Sequence, residues 1–247
     1  ALMEYLIPFF FFFISFIYST VGLGGGSSYT AIMAVTGVSY QTIPTISLTL
    51  NLLVTFFGMV NFWRFGYVRI NLIIPFLITS IPMAYFAGLM KLNEYIFQII
   101  LLITLLLIAF RIYILNDIAL SVQLTKVQKW FVIISIGLLL GFVAGAIGIG
   151  GGIYLIPLII ILGLGSEKEA AAAGAIFVWS NSFAGLAARY QYLRFDYDMI
   201  LPSILSVIIG GSLGSYFGAT KYDPHTIQKI MGVIILIAIL FLFRKIF

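Results

Sequence analysis

The sequence predicts an all-α polytopic membrane protein made of two homologous halves, each with four or five helical segments and a glycine-rich broken helix near its start. Three observations lead to this prediction. The 247 residues are 62% hydrophobic and only 9% charged, and their mean hydropathy is +1.17, which lies outside the range of water-soluble domains. Long apolar stretches recur along the whole chain. One glycine-rich motif occurs twice.

Eight stretches are long enough to cross a bilayer, which takes about 20 mainly apolar residues in a helix. Strands of a membrane barrel would alternate apolar and polar residues, whereas residues 96–110 are apolar on nearly every face of a helix. The sequence therefore predicts helices, joined by connections too short for a soluble domain. The eight stretches are residues 3–21, 42–63, 71–90, 95–115, 130–147, 169–188, 199–217 and 226–243, and two shorter apolar stretches, 28–38 and 153–163, follow the glycine clusters.

An internal repeat organises the chain. Residues 21–26 read VGLGGG and reappear as IGIGGG at residues 147–152, an offset of 126 (from 21 to 147), and weaker matches further along lie at an offset of 127. Duplicated halves with interrupted helices are typical of transporters. The sequence therefore predicts two repeats of one transmembrane domain, at residues 1–120 and 121–247.

Two orientations of these halves are compatible with the sequence. If each glycine-rich segment belongs to one broken span, each half crosses four times and the 13 Lys and Arg residues divide nine to four, with both termini in the cytoplasm. If the glycines turn the chain back as a hairpin, the halves are inverted and the charges divide eight to five. Charge favours the first arrangement and transporter precedent favours the second, so both stay open.

The two glycine clusters predict an anion site. Each glycine in a helix costs about 1 kcal/mol relative to alanine, and a packing interface needs one small residue per turn rather than three in a row, so we expect the helix to break. The helix that follows then presents free amides and the positive end of its dipole to an anion. Packing or a hinge is the alternative. The predicted contacts are Gly24, Gly25, Gly26, Ser27 and Ser28 in the first half and Gly150, Gly151, Gly152, Ile153 and Tyr154 in the second.

Two asparagines in the later spans are predicted to complete this site. Asn51 and Asn181 each lie in the long span that follows one glycine cluster. Polar groups inside a membrane face the bundle interior, where they tie helices together or line a path. The offset of 127 places Asn181 opposite Val54 rather than Asn51, so the symmetry is imperfect. Their similar placement favours contact with the substrate, and a purely structural role is the alternative.

The residue types exclude several functions. The sequence has no cysteine and a single histidine, His225, at a predicted helix start, so it predicts neither an enzyme nor a metal or cofactor site. The positive charges are scattered single residues, which suits lipid headgroups rather than nucleic acid. All acidic residues fall at predicted helix ends or loops, so the spans offer no carboxylate for a proton relay. Residues 2–21 lack a basic start and are interpreted as a span rather than a cleaved signal.

The glycine motifs resemble those of the sulfite exporter TauE/SafE family of membrane permeases. The resemblance rests on residues 148–152 followed by Leu-Ile-Pro at 155–157, on their copy at 22–26, and on Phe-Asp-Tyr at 195–197, and it covers nearly the whole chain. It implies a secondary transporter in the inner (plasma) membrane, with a small anion bound near mid-membrane between the broken helices. The family's substrates imply sulfite, a sulfonate, sulfoacetate or a similar anion as partner, with the lipid bilayer around the protein. An anion channel or a carboxylate permease of the same fold is the alternative, and the oligomeric state stays open.

Overall fold

The structure is a computed structural model that describes residues 2–114, 125–192, 197–221 and 224–246. Every regular element in these residues is helical, which confirms the all-α prediction. The helices are α1 (Leu2–Thr20), α2 (Gly26–Val35), α3 (Ile43–Arg64), α4 (Ile70–Leu89), α5 (Glu94–Ile114), α6 (Lys126–Ile147), α7 (Gly152–Ile161), α8 (Glu167–Ala188), α9 (Tyr197–Thr220) and α10 (Pro224–Ile246), with a 3₁₀ turn at Tyr190–Tyr192.

Most of these helices are suited to a membrane. Within the described part of the chain, six of them (α3, α4, α5, α6, α8 and α9) are long and apolar enough to cross a bilayer by length and composition. The first and last predicted spans are helical too, with shorter apolar helices at Leu6–Thr20 and Gly232–Arg244. Large apolar side chains lie on the outer surface, where Ile78 and Leu240 are 64% and 69% exposed. Such a surface suits contact with lipid.

The first glycine cluster breaks the helix, as predicted. Gly22 and Gly25 have φ angles of 76° and 89°, a region that only glycine enters without strain, and α2 begins at Gly26. A methyl group built onto Gly25 would lie 2.9 Å from the Cγ2 atom of Ile14. Further on, the ring of Tyr29 packs on that of Phe11 with 4.6 Å between centroids. Later residues of α2 thus meet earlier residues of α1, so the two helices form an antiparallel hairpin.

The second glycine cluster breaks the chain in the same way. Gly148, Gly150 and Gly151 have φ angles of 83°, 83° and 71°, and α7 begins at Gly152. Helices α2 and α7 have 10 residues each, which at 1.5 Å per residue is about 15 Å, or roughly half the hydrocarbon thickness of a bilayer. Each short helix therefore spans about half of the membrane, and its first residue, a glycine, lies inside the membrane.

Contacts between helices fix their directions. Helices α1, α3 and α9 are mutually parallel, and α4, α6 and α8 run in the opposite direction. The contacts that establish this are Phe12 with Gly210 and Thr20 with Gly218 (α1 and α9), Val54 with Gly211 and Asn61 with Ser215 (α3 and α9), Phe76 with Gly137 and Ala84 with Gly145 (α4 and α6), Arg69 with Glu169 and Gly88 with Ala188 (α4 and α8), and Leu48 with Gly185 and Gly58 with Ala175 (α3 and α8).

These directions fit the hairpin arrangement rather than the single broken span. Because α1 and α3 are parallel, the chain between them must turn back through α2. The order of a long helix, a ten-residue helix and three long helices occurs twice in the described residues, and α3 and α8 run in opposite directions. The duplication of the sequence, with its boundary after residue 120, stays a prediction, and that boundary lies outside the described residues.

Candidate functional site

The two glycine breaks meet inside the protein around the side chain of Asn51. Asn51 is fully buried in α3. A methyl group built onto Gly24 would lie 2.3 Å from its Oδ1 atom, and one built onto Gly26 would lie 2.5 Å from its Nδ2 atom. From the second break, a methyl group on Gly150 would lie 3.2 Å from the same Nδ2 atom. Glycine at positions 24 and 26 is therefore required by the close approach of this amide.

Two side-chain donors converge on one backbone oxygen at this junction. Asn51 donates through Nδ2 to the carbonyl oxygen of Gly148 at 3.2 Å, and Ser47 donates through Oγ to the same oxygen at 2.7 Å. The Ser47 hydroxyl in turn accepts a hydrogen bond from Thr30 at 3.1 Å. Ser47 and Asn51 belong to α3, whereas the oxygen to which both donate belongs to the second break. The convergence thus links the two halves of the chain.

Helix α2 begins at this junction without a side-chain cap. Its first internal hydrogen bonds run from the amides of Ser28 and Tyr29 to the carbonyl oxygen of Gly25, at 3.0 Å each. The amides of Gly26 and Ser27 precede those bonds, and no side chain caps the helix. Helix α7 also lacks a side-chain cap. Unpaired first-turn amides and the positive end of the dipole favour negative charge at such a helix start.

The position in α8 that corresponds to Asn51 is occupied by Val178. The offset of 127 relates residues 51 and 178, and the contacts agree with it. Methyl groups built onto Gly150 and Gly152 would lie 2.8 Å and 2.5 Å from the Cγ atoms of Val178, as those on the first break would meet Asn51. The sequence suggested Asn181 as the counterpart because of its residue type, and the repeat offset was the signal that pointed to Val178 instead.

The same exchange of polar for apolar groups occurs one turn earlier. The offsets relate Ser47 to Gly174 and Thr30 to Ile156. Where Thr30 donates to Ser47 in the first half, Ile156 packs against Gly174, with its Cδ1 atom 2.8 Å from a methyl group built there. The donors of the junction therefore come from the first half alone.

Asn181 does not take part in the convergence of donors. It is fully buried in α8, and its Nδ2 atom donates to the carbonyl oxygen of Phe177 in the same helix at 2.9 Å. Its Oδ1 atom has no hydrogen-bond partner within the described residues. Asn181 and Asn51 were predicted to act together, and the structure gives them different surroundings.

The predicted side chains on α2 and α7 point to neighbouring helices. The hydroxyls of Ser27 and Ser28 lie 3.1 Å and 2.6 Å from the hydroxyl of Tyr18 in α1. Tyr154 donates to the backbone oxygen of Thr104 in α5, and Ile153 is buried with 5% exposure. The hydroxyls of Ser27, Ser28 and Tyr154 therefore already have partners in neighbouring helices, whereas the amides of Gly26 and Ser27 precede the first internal bonds of α2. Nothing in the sequence pattern marked Tyr18 as the partner of the two serines.

Arg189 is a buried cation close to the second break. It follows α8, is 8% exposed, and donates to the carbonyl oxygens of Gly185 at 3.0 Å and Ala146 at 3.1 Å. These oxygens belong to the last turns of α8 and α6, where a cation is favoured by the helix dipole. Burial lowers the pKa of the Arg189 guanidinium to about 10, so the side chain stays charged at neutral pH.

A separate cavity of 330 Å³ lies where α4 and α6 begin. Arg69 at its edge forms an ion pair with Glu169, with 3.3 Å between nitrogen and oxygen. This cavity contains none of the predicted contacts. Its lining residues are Arg69, Asn71, Leu72, Pro75, Lys129, Trp130, Ile133 and Leu164.

Helices that cross a bilayer, two helices broken inside it, and polar groups gathered in its interior define a multi-pass membrane protein of the transporter class. The chain belongs to the sulfite exporter TauE/SafE family. A sequence model of that family, described as "Sulfite exporter TauE/SafE", matches residues 7–242. The protein is therefore a membrane transporter of this family, as the resemblance of its glycine motifs implied.

Curated relatives agree with this assignment. The chain is 29% identical over 230 residues to the "Probable membrane transporter protein y4hK" of Sinorhizobium fredii, which covers 92% of this chain and 93% of the relative. It is 25% identical over 241 residues to the "Probable membrane transporter protein YjnA" of Bacillus subtilis, with 92% and 94% covered. No solved structure matches the chain.

Proposed function

We propose that the protein is a secondary transporter of a small anion, sulfite or a related organosulfur anion, across the inner (plasma) membrane. The anion binds where the two glycine breaks meet. The observation that carries this proposal is the convergence of Ser47 and Asn51 beside the uncapped start of α2. Two neutral donors and free amides at a positive dipole end bind an anion without requiring a cationic side chain.

The charge of the interior supports an anion over a cation. Among the buried polar residues that the structure describes, Arg189 is the only one that carries a charge, and none is acidic. A cation transporter would need carboxylates or a cage of oxygens in its path. The name of the family refers to sulfite, and the relatives are named as transporters without a substrate.

The singly charged form of the anion suits this site best. A helix dipole contributes about half an elementary charge at its end, so one or two helix starts balance a monoanion better than a dianion. A protein without a carboxylate in its path has no acidic group to bind and release a proton during the cycle. The proton therefore crosses on the substrate itself.

Uptake of radiolabelled sulfite into proteoliposomes tests this function. We expect saturable uptake that sulfate and sulfoacetate, both dianions at neutral pH, inhibit only weakly, with chloride as the simple monoanionic competitor. Absence of uptake for all of these anions, in either direction, would reject the proposal. Measurement in planar bilayers separates the anion channel, because unitary current steps would identify a channel rather than a transporter.

A further inference from the structure

We infer that the backbone carbonyl of Gly148 occupies the place of the substrate anion in this structure, and that the anion binds by displacing it. The second break, residues 148–152, then acts as a plug on a binding site built by α3 and the start of α2. This inference rests on the proposed function, because it assigns the anion to one side of the junction between the breaks.

The side chains of Ser47 and Asn51 donate hydrogen bonds to the Gly148 carbonyl oxygen as they would to an anion. Ser47 and Asn51 both donate to this one oxygen, at 2.7 Å and 3.2 Å. They are fully buried and reach it from α3, on the other half of the chain. A carbonyl oxygen carries partial negative charge, so donors arranged around it suit an anionic oxygen in the same place more strongly.

The start of α2 faces the same oxygen. A methyl group built onto Gly26 would lie 2.8 Å from the carbonyl oxygen of Gly148 and 2.9 Å from that of Ile149. Two carbonyl oxygens of the second break therefore lie against the first residue of α2, where the dipole favours negative charge. An anion that approaches α2 must first move this segment away.

An unused acceptor indicates the kind of anion. The Oδ1 atom of Asn51 is buried and has no hydrogen-bond partner within the described residues. A buried acceptor without a partner is unfavourable, and an anion that keeps one O–H group would supply the missing donor. The amide of Asn51 would then donate through Nδ2 and accept through Oδ1 on the same ligand. The site thus selects a protonated oxyanion over a fully ionised one.

The surroundings of the second break lack the groups for a matching site. Val178 and Gly174 stand where Asn51 and Ser47 stand in the first half, so α7 begins beside apolar side chains. An anion held symmetrically between both breaks would leave the donors of α3 on one side only. The asymmetry assigns binding to α3 and the start of α2, and movement to the second break.

Amide hydrogen exchange of the intact protein in detergent, with and without sulfite, tests the inference. Because the sequence has no cysteine, sulfite has no disulfide to cleave. We expect sulfite to slow exchange in residues 24–28 and to accelerate it in residues 148–152 by about tenfold, since the plug has lost its bonds. This comparison, with and without sulfite, uses the wild-type protein alone.

A pair of serine variants adds a second measurement. Ser47→Ala removes the shorter of the two bonds to Gly148, so we expect faster exchange in residues 148–152 without anion and about tenfold weaker sulfite binding. Ser80→Ala is the matched control, because its buried hydroxyl has no partner among the described residues, and it should change neither quantity.

The outcomes distinguish this inference from the proposed function. If sulfite binds and slows exchange equally in both breaks, the anion lies between them, and the plug is overturned while the transporter proposal stands. If sulfite accelerates exchange in both breaks, the second break does not move alone and the plug is again overturned. If sulfite, sulfoacetate and sulfate neither bind nor are taken up, both proposals fail.

Discussion

Replacement of Asn51 by leucine separates a substrate contact from a structural one. In the structure Asn51 makes one hydrogen bond to Gly148 and leaves Oδ1 without a partner among the described residues. Loss of a neutral hydrogen bond costs about 1 kcal/mol, whereas removal of a buried unsatisfied acceptor returns about 1–3 kcal/mol. Leucine has a similar volume, and the Gly148 oxygen keeps its bond from Ser47. The free energy of unfolding should therefore not fall, and should rise by no more than about 2 kcal/mol.

Transport should respond much more strongly to the same change. A hydrogen bond to a charged group contributes about 1.5–3 kcal/mol, and every 1.4 kcal/mol corresponds to about a factor of ten. Asn51→Leu should therefore lower kcat/KM for sulfite uptake by roughly 10- to 100-fold. The melting temperature should not fall, and should rise by less than about 8 °C, given about 2–4 °C per kcal/mol for a chain of this size.

Initial rates of sulfite uptake in proteoliposomes, set beside thermal unfolding in detergent, measure the two effects. Asn181→Leu is the matched control, because it removes a buried amide that bonds only within its own helix. We expect its uptake to fall less than tenfold. A proportional loss of stability and transport in Asn51→Leu would show that Asn51 holds helices together, and would refute the substrate contact.

Three further predictions concern packing, charge and pH. Gly24→Ala should destabilise the protein by about 1–3 kcal/mol in thermal unfolding, because its methyl group would overlap Asn51. The control Gly58→Ala should cost less, because its methyl group would meet only Ala175, at 3.3 Å. Equal losses of stability would contradict the close approach of Asn51 to Gly24. Arg189→Gln should lower the free energy of unfolding by about 2 kcal/mol or more, since two helix-end carbonyls lose a charged donor. The control Arg64→Gln, at an exposed side chain, should leave the free energy of unfolding unchanged. Similar melting temperatures of the two variants would argue against a capping role of Arg189. Uptake should follow the concentration of the sulfite monoanion as pH varies. The pH profile of uptake should be unchanged in Asp196→Asn and Asp198→Asn, whose side chains lie outside the described residues. A shift of this profile by about one pH unit or more would reveal a proton site on the protein.

The sequence was informative wherever one residue type determines local structure. Runs of three glycines predicted both breaks, because no other residue enters the left-handed region so readily. Apolar composition predicted the helices, because each long apolar stretch is sufficient to cross a bilayer as a helix. Helix directions were harder to predict, because charge counts of eight to five and nine to four are both compatible with a membrane protein, and buried Arg189 contributes to them without facing either surface.

Long-range contacts were the part that the sequence did not reveal. Ser47 meets an oxygen 101 residues away, and nothing in its own segment distinguishes it from the other hydroxyls of the span. Residue type led to Asn181, although the repeat offset pointed to Val178. The partners of Ser27 and Ser28 were missed because Tyr18 reaches them from the preceding helix. Such pairs depend on tertiary packing, which a single sequence does not specify.

The seam between α1 and α9 has a consequence for biogenesis. Gly210, Gly214 and Gly218 bring the backbone of α9 against Phe12, Phe16 and Thr20 of α1. The first of these glycines follows Phe12 by 198 residues (210 minus 12), so α1 enters the membrane long before its partner has been synthesised. The first half cannot complete its packing alone, and its earliest helix must wait in lipid until the ninth is inserted. Formation of this seam is therefore a late event, because α9 is synthesised long after α1.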